Sequence, residues 1–196
     1  MGEMIRMVAV LAVLSAVSGG VLAGVQQWTR EPIERQQLAN EKAPVIRHIL
    51  QGMENDPIAE RFTLKDGDRN RQFFPGLLPD GPVMVLEGSS QGYSGDIHVM
   101  VGIRMNDDTL AGIGVTTHSE TPGIGSRAKE DPSFSRQFAG KKASGPKTLR
   151  SDGGDIDSLS GATITSRAVG RAVEEAAAAY LRLKPELESR FSGKED

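Results

Sequence analysis

The sequence predicts an α+β protein: an N-terminal transmembrane helix, then one domain in which a twisted antiparallel sheet is packed by helices. Three observations carry this. Met7 to Val25 reads MVAVLAVLSAVSGGVLAGV without a charge. Ile97, Val99, Val101 and Ile103 alternate along a run that turns at Asn106-Asp107-Asp108 and returns from Leu110 to Thr117, as in an antiparallel hairpin. Ile164, Ala168, Ala172, Ala176 and Tyr180 recur every fourth residue, widened by Val169, Val173 and Leu183, which is the stripe of an amphipathic helix. The expected division is an anchor at 1–29, a stalk helix region at 30–55, the folded domain at 56–190 and a frayed tail at 191–196.

The first segment is just long enough to cross a hydrocarbon core at about 1.5 Å per residue. Trp28 and Arg30 follow where an interfacial anchor sits. A cleaved signal peptide is the second reading, because Val21-Leu22-Ala23 suits a processing site. A buried core helix is the third, and it lacks the polar face such a helix shows. Arg6 is offset by Glu3 and Arg30 by Glu31, so charge gives no orientation. The first two readings agree that the remainder faces a non-cytoplasmic compartment.

From Arg30 to Leu50 a helix is expected, with Pro32 in a first turn and Pro44 kinking or dividing it. Val45, Ile46, Ile49 and Leu50 form its apolar stripe. Met53 to Arg71 reads as polar and irregular, with a turn at Asp66-Gly67. Val83 to Glu87 is a short apolar strand. Gly92, Gly95, Gly102, Gly112 and Gly114 lie in or near the strands, either as bulges and bends or as places where a flat ligand approaches the backbone. Asp131-Pro132-Ser133 starts a short helix. Gly140 to Gly154 is expected to be exposed loop. The last helix runs from about Thr163 to Lys184, with Pro185 ending it.

Composition closes several classes. A net charge of −3 and 5% aromatics leave no electrostatic footprint or stacking platform for nucleic acid. The absence of Cys removes disulfides, thiolate metal sites and Fe–S ligation. Only His48, His98 and His118 are present, too far apart in sequence for a His-rich metal site.

The chemistry concentrates before the last helix, at Asp157-Ser158-Leu159-Ser160-Gly161-Ala162-Thr163-Ile164-Thr165-Ser166. A helix N-terminus offers unpaired N–H groups and partial positive charge, and small residues let a phosphate approach. A plain Ser or Thr helix cap after a Gly turn explains the same letters. The run Asp157-x-x-Ser160-Gly161-Ala162-Thr163, however, resembles the flavinylation motif of the FMN-binding domain family. Two further tracts match in order. Gly92-Tyr93-Ser94-Gly95 resembles the family's GYSG entry, and Glu120-Thr121-Pro122-Gly123-Ile124-Gly125, after His118-Ser119, resembles its ETPG(L/I)G loop. The resemblance spans nearly the whole chain. It is closer to the G subunit of the Rnf-type ion-translocating electron-transport complex than to the C subunit of the sodium-translocating NADH:quinone reductase. One departure is that Phe134 and Phe138 stand where such subunits often carry Trp.

The resemblance implies FMN joined covalently to Thr163 by a flavin transferase that uses FAD as donor. Ser160, Gly161, Ala162, Ile164 and Thr165 would surround the phosphate. Tyr93, Glu120, Thr121, Pro122 and Gly123 would line the ring, and Asp157 would assist recognition by the transferase or cap the turn. No catalytic or metal-ligating residue is implied. The implied role is an electron relay in a ferredoxin/NAD oxidoreductase complex, a redox subunit among membrane and Fe–S partners and not a complete enzyme. The implied location is the cell inner membrane, single-pass, with the flavin domain on the periplasmic side. The alternatives are a stand-alone extracytoplasmic flavoprotein reductase and a non-catalytic binding module in which Thr163 is only a helix cap.

Overall fold

The computed structural model describes residues 2–192, and the chain divides into one unit up to Asn40 and a second from Glu41. In the first unit, α1 (Gly2–Gln37) contains a segment long and apolar enough to cross a membrane, of mean hydropathy 2.3, with none of that segment buried. It is therefore not a core helix of this chain. Pro32 lies inside α1 and not in a first turn. It removes one donor, the one that would serve the Trp28 carbonyl, and the helix continues around it. A π-helical turn, Leu38–Lys42, follows.

In the second unit, α2 (Ala43–Ile49) carries Pro44 in its first turn, where the missing N–H costs no helical bond. Five strands follow: β1 (Phe62–Asp66), β2 (Arg69–Leu78), β3 (Gly81–Gln91), β4 (Asp96–Arg104) and β5 (Thr109–Val115). They form one antiparallel meander in sequence order. Two short helices, α3 (Arg127–Glu130) and α4 (Pro132–Arg136), lead by loops to α5 (Thr163–Ser192). In α4 the Asp131 carboxylate accepts from the Ser133 N–H, at 2.9 Å, as an N-cap.

Both sheet faces are covered. Strand alternation turns Phe73, Met84, Leu86, Val99, Val101 and Ile113 to one side, where they join Ala168, Val169, Ala172, Val173, Ala176 and Tyr180 of α5 in the main core. The opposite face carries Phe74, Gly76, Val85, Met100, Gly102 and Gly114, aligned by register. The glycines there are neither ligand contacts nor mainly bends. A Cβ on Gly102 would lie 2.4 Å from Ile49, on Gly114 2.4 Å from Val45, and on Gly76 2.5 Å from Leu50. They form a trough in which α2 and Leu50 seat their apolar stripe. A bulge between Gly102 and Ile103 adjusts the β4–β5 register.

Further expectations are corrected. Met53 to Arg71 is not irregular throughout, since β1 and the start of β2 form a hairpin about Gly67. Phe62-Thr63-Leu64-Lys65 alternates for only four residues and Arg69 to Gln72 is wholly polar, so no period is long enough to read there. Gly140 to Gly154 is not simply exposed. Ala143, Lys147 and Leu149 are buried, and Lys147 Nζ donates to the carbonyls of Lys142, at 2.9 Å, and Gly145. Burial pushes that ammonium's pKa below its ordinary value. Pro185 does not end α5, which runs on to Ser192. Leu187 is fully buried beyond the proline, and the Arg190 guanidinium sits 4.3 Å over the Phe62 ring, so packing outweighs the lost hydrogen bond. Of the tail, Phe191 packs against the core, and residues 193–196 lie outside the described residues.

Asp66 ties the hairpin to α5. Its carboxylate accepts from Arg182 Nη2 and Arg71 Nε, both at 2.7 Å, while Arg71 also pairs with Glu175. The Arg182 and Arg71 hydrogen bonds hold the Asp66 pKa at about 2, against about 3.9 in an unfolded chain. A depressed carboxyl pKa stabilises above the unfolded value, and that stability is lost as pH falls through the folded one. Asp66→Asn is therefore expected to lower the urea midpoint at neutral pH. The gap to wild type should close as pH falls from about 4 towards 2. A gap of constant size across that range would show that Asp66 acts by shape alone.

Candidate functional site

Three segments converge on a cavity of about 570 Å³, lined by Tyr93, Glu120, Thr121, Ile124, Gly125, Gly161, Ala162, Thr163, Ile164 and Thr165. The size lies within the roughly 300–1,000 Å³ usual for small-molecule sites.

The first wall is the link between β3 and β4. Gly92 N–H closes a tight turn on Gly95 O at 2.8 Å, which pushes Tyr93 outward at 71% exposure. The second wall is the turn at Thr121, whose carbonyl accepts from the N–H groups of Ile124, Gly125 and Ser126. Gly123 occupies the left-handed region there, at φ +73°. The third wall is the start of α5. Gly161, at φ +77°, reverses the chain. The first helical bond then runs from Ser166 N–H to Ala162 O, at 2.9 Å. The N–H groups of Thr163, Ile164 and Thr165 thus precede any α-helical partner and lie at the cavity.

Glu120 joins the three walls. It is buried, its Oε1 accepts from Tyr93 N–H and Ser94 N–H, each at 2.9 Å, and its Oε2 accepts from the Thr165 hydroxyl. Its own N–H donates to His118 Nδ1 at 3.3 Å, so His118 supports the turn from behind. Gly125 lets the carboxylate pass, because a Cβ there would lie 2.6 Å from Glu120 Cβ.

The hydroxyls around the start of α5 differ sharply. Thr165 is buried and committed to Glu120. Ser166 is fully buried, accepting from Leu159 N–H at 3.0 Å and donating to Ala162 O at 2.9 Å. It is Ser166, and not Thr163, that staples the helix entry. Thr163 is the first helical residue and is exposed. Ser160 is exposed too but is not among the lining residues.

Of the residues expected at a ligand, Tyr93, Glu120, Thr121, Gly161, Ala162, Thr163, Ile164 and Thr165 meet at the cavity. Ser160, Pro122 and Gly123 do not line it. Ile124 and Gly125 line it although the sequence motifs assign them no contact, and an apolar residue between two glycines in a polar loop is the available signal. Ile164 fits the core stripe by its period, but it is 47% exposed at the cavity, as Ile124 is at 48%. Asp157 caps nothing. Its N–H donates to Gln137 Oε1 at 2.7 Å, and its exposed carboxylate pairs with Arg150 at 3.2 Å. Phe134 and Phe138 are buried edge-to-face, with centroids 5.7 Å apart, and belong to the core.

Residues 92–178 match the FMN-binding domain family. The G subunit of the ion-translocating oxidoreductase complex of Escherichia coli strain K12 is 36% identical over 177 residues, covering 85% of each chain. The protein of the same name from Methanosarcina acetivorans is 30% identical over 176 residues, covering 89% of this chain and 93% of its own. Among solved structures, the C subunit of the Na⁺-translocating NADH-quinone reductase from Parabacteroides distasonis superposes with a TM-score of 0.54 at 20% identity. It covers 83% of this chain and 96% of its own, and shares the fold.

Proposed function

Because the chain belongs to the family of ion-translocating oxidoreductase complex G subunits and contains an FMN-binding domain, we propose that it is a membrane-tethered electron relay with FMN esterified to Thr163. Hydroxyl availability carries the assignment. Of the hydroxyls at the start of α5, Thr163 alone combines exposure with a place in the cavity wall, while Thr165 and Ser166 are buried and bonded.

The surroundings fit the group. The Thr163, Ile164 and Thr165 N–H groups and the partial positive charge of the α5 N-terminus suit a phosphate. Tyr93, Ile124 and Ile164 present apolar surface that the fold leaves uncovered, as a flat ring requires. When bound, FMN supplies reversible one- and two-electron chemistry. Thr163 tethers, the α5 amides neutralise part of the phosphate charge, and Tyr93, Ile124 and Ile164 shield the site from water. Attachment would conserve atoms: on a flavin transferase, the Thr163 hydroxyl oxygen would bond the FMN phosphorus of FAD as the pyrophosphate P–O bond breaks, AMP would leave and the hydroxyl proton would be released. The exposed Asp157 carboxylate, outside the cavity, is available for that enzyme to read.

In this reading electrons would arrive from and leave to other subunits of the complex. The apolar α1 anchors the chain in the membrane, with the flavin domain on the extracytoplasmic side, where a dissociable flavin would be lost. Tethering raises the effective concentration for electron exchange without tight binding. The test is the intact mass of the full chain co-expressed with a flavin transferase. An increase equal to FMN minus water is expected. No increase, with a control flavoprotein labelled in the same cells, would return the site to a plain binding pocket.

A further inference from the structure

Among the described residues lining the cavity, Glu120 is the one acidic side chain. An acid beside a site proposed to hold a phosphate is unexpected, and it is 6% exposed. Its position is built. Tyr93 N–H, Ser94 N–H and Thr165 Oγ1–H all donate into it, and glycine at 92 and 125 makes room for it. Three inward donors are the acceptor pattern of a carboxylate. A neutral amide braces the same walls once the Thr165 hydroxyl turns to accept, so bracing alone does not require an acid there.

We propose that Glu120 is a positioning residue that also sets the flavin's reduction potential, its buried negative charge holding that potential down. This rests on the flavin reading above. Two electrons from a reductant and one proton from solvent leave the ring one unit more negative. A fixed carboxylate in a poorly solvated wall opposes that gain more strongly than one in water. The three donors spread its charge, and Thr165 is the one that can be removed without altering the backbone.

Glu120→Gln separates charge from shape. The Gln Oε1 still accepts from Tyr93 and Ser94, and its Nε2 donates to a rotated Thr165 hydroxyl. The measurement is a spectroelectrochemical titration of the full-length flavinylated protein in detergent, reduced with dithionite, for wild type, E120Q and T165V. At the wild-type midpoint, E120Q is expected to raise the reduced-to-oxidised ratio about tenfold, or about 30 mV for a two-electron couple. T165V, which leaves the carboxylate one donor short, is expected to lower the ratio. A purely structural role moves occupancy and melting, not potential. Loaded E120Q with the wild-type midpoint overturns the inference and leaves the flavin reading intact. If E120Q does not load, T165V decides: a lowered midpoint supports the inference and an unchanged one overturns it. Wild type without flavin mass overturns both readings.

Discussion

Thr163→Ala is expected to abolish covalent flavin loading completely, leaving the intact mass at that of the bare chain and the denatured protein colourless. Thr163→Ser keeps an oxygen at the same place on the first turn of α5 and is expected to load. Ser160→Ala is expected to load as well, since Ser160 stands outside the cavity wall. The fold should barely register the alanine. Thr163 is exposed and Ser166 holds the helix entry, so stability is expected to change by no more than about 0.5 kcal/mol. Mass spectrometry beside thermal melting separates the two effects. A flavin mass surviving in T163A would move the attachment to another hydroxyl, with Ser160 the first to examine.

Gly88→Ala is expected to be among the most damaging single methyls in the sheet domain. Gly88 lies on β3 beneath α5, and a Cβ there would lie 2.1 Å from the Ala172 carbonyl oxygen and 2.9 Å from Ala176 Cβ. The obstacle is helix backbone, so α5 must move as a body. Overpacking of this kind costs about 3 kcal/mol, a drop of roughly 6–12 °C in Tm for a domain of this size. The same shift carries Thr163 and Thr165 away from the Tyr93 and Glu120 walls, so flavin loading should fall with stability. Gly145→Ala is the control, because its nearest contact would be an ordinary 3.7 Å from Lys142 O. Unchanged melting of G88A in urea or heat would mean that α5 tolerates displacement and does not hold the cavity rigidly.

Lys42, Glu87 and His98 form a second charged group, on the face covered by α2. Glu87 accepts from Lys42 Nζ at 2.7 Å and lies 3.3 Å from His98 Nδ1. The Glu87 partner raises the His98 pKa. A raised His contributes stability below its unfolded value, about 6.5, and loses it as pH climbs through the folded one. The expected signature is a wild-type advantage over His98→Gln that is largest in mild acid and fades in alkali, read as urea midpoints across pH.

What the sequence determined by itself was whatever is written in local order. The α5 stripe was legible because a period near four exposes a buried helix face. The β4–β5 hairpin was legible because alternation and the Asn106-Asp107-Asp108 turn coincide, and α1 because an uncharged run leaves few alternatives. Thr163 stood out through a motif of adjacent residues. Tertiary structure decided the rest, because the partners lie far apart along the chain. Gly102 and Gly114 are glycine because Ile49 and Val45 lie on them, which no window of neighbouring letters reveals. Glu120 is one letter of a loop motif until Tyr93, Ser94 and Thr165 arrive around it and make it the joint of three walls. Ile164 fits the core period, yet the helix begins only one residue earlier, so the sheet does not reach it and it faces the cavity. Pro185 should stop a helix on local grounds, but burial of Leu187 carries the helix through. Local pattern proposes each element. The free energy of burial across distant segments decides where it ends and what it touches.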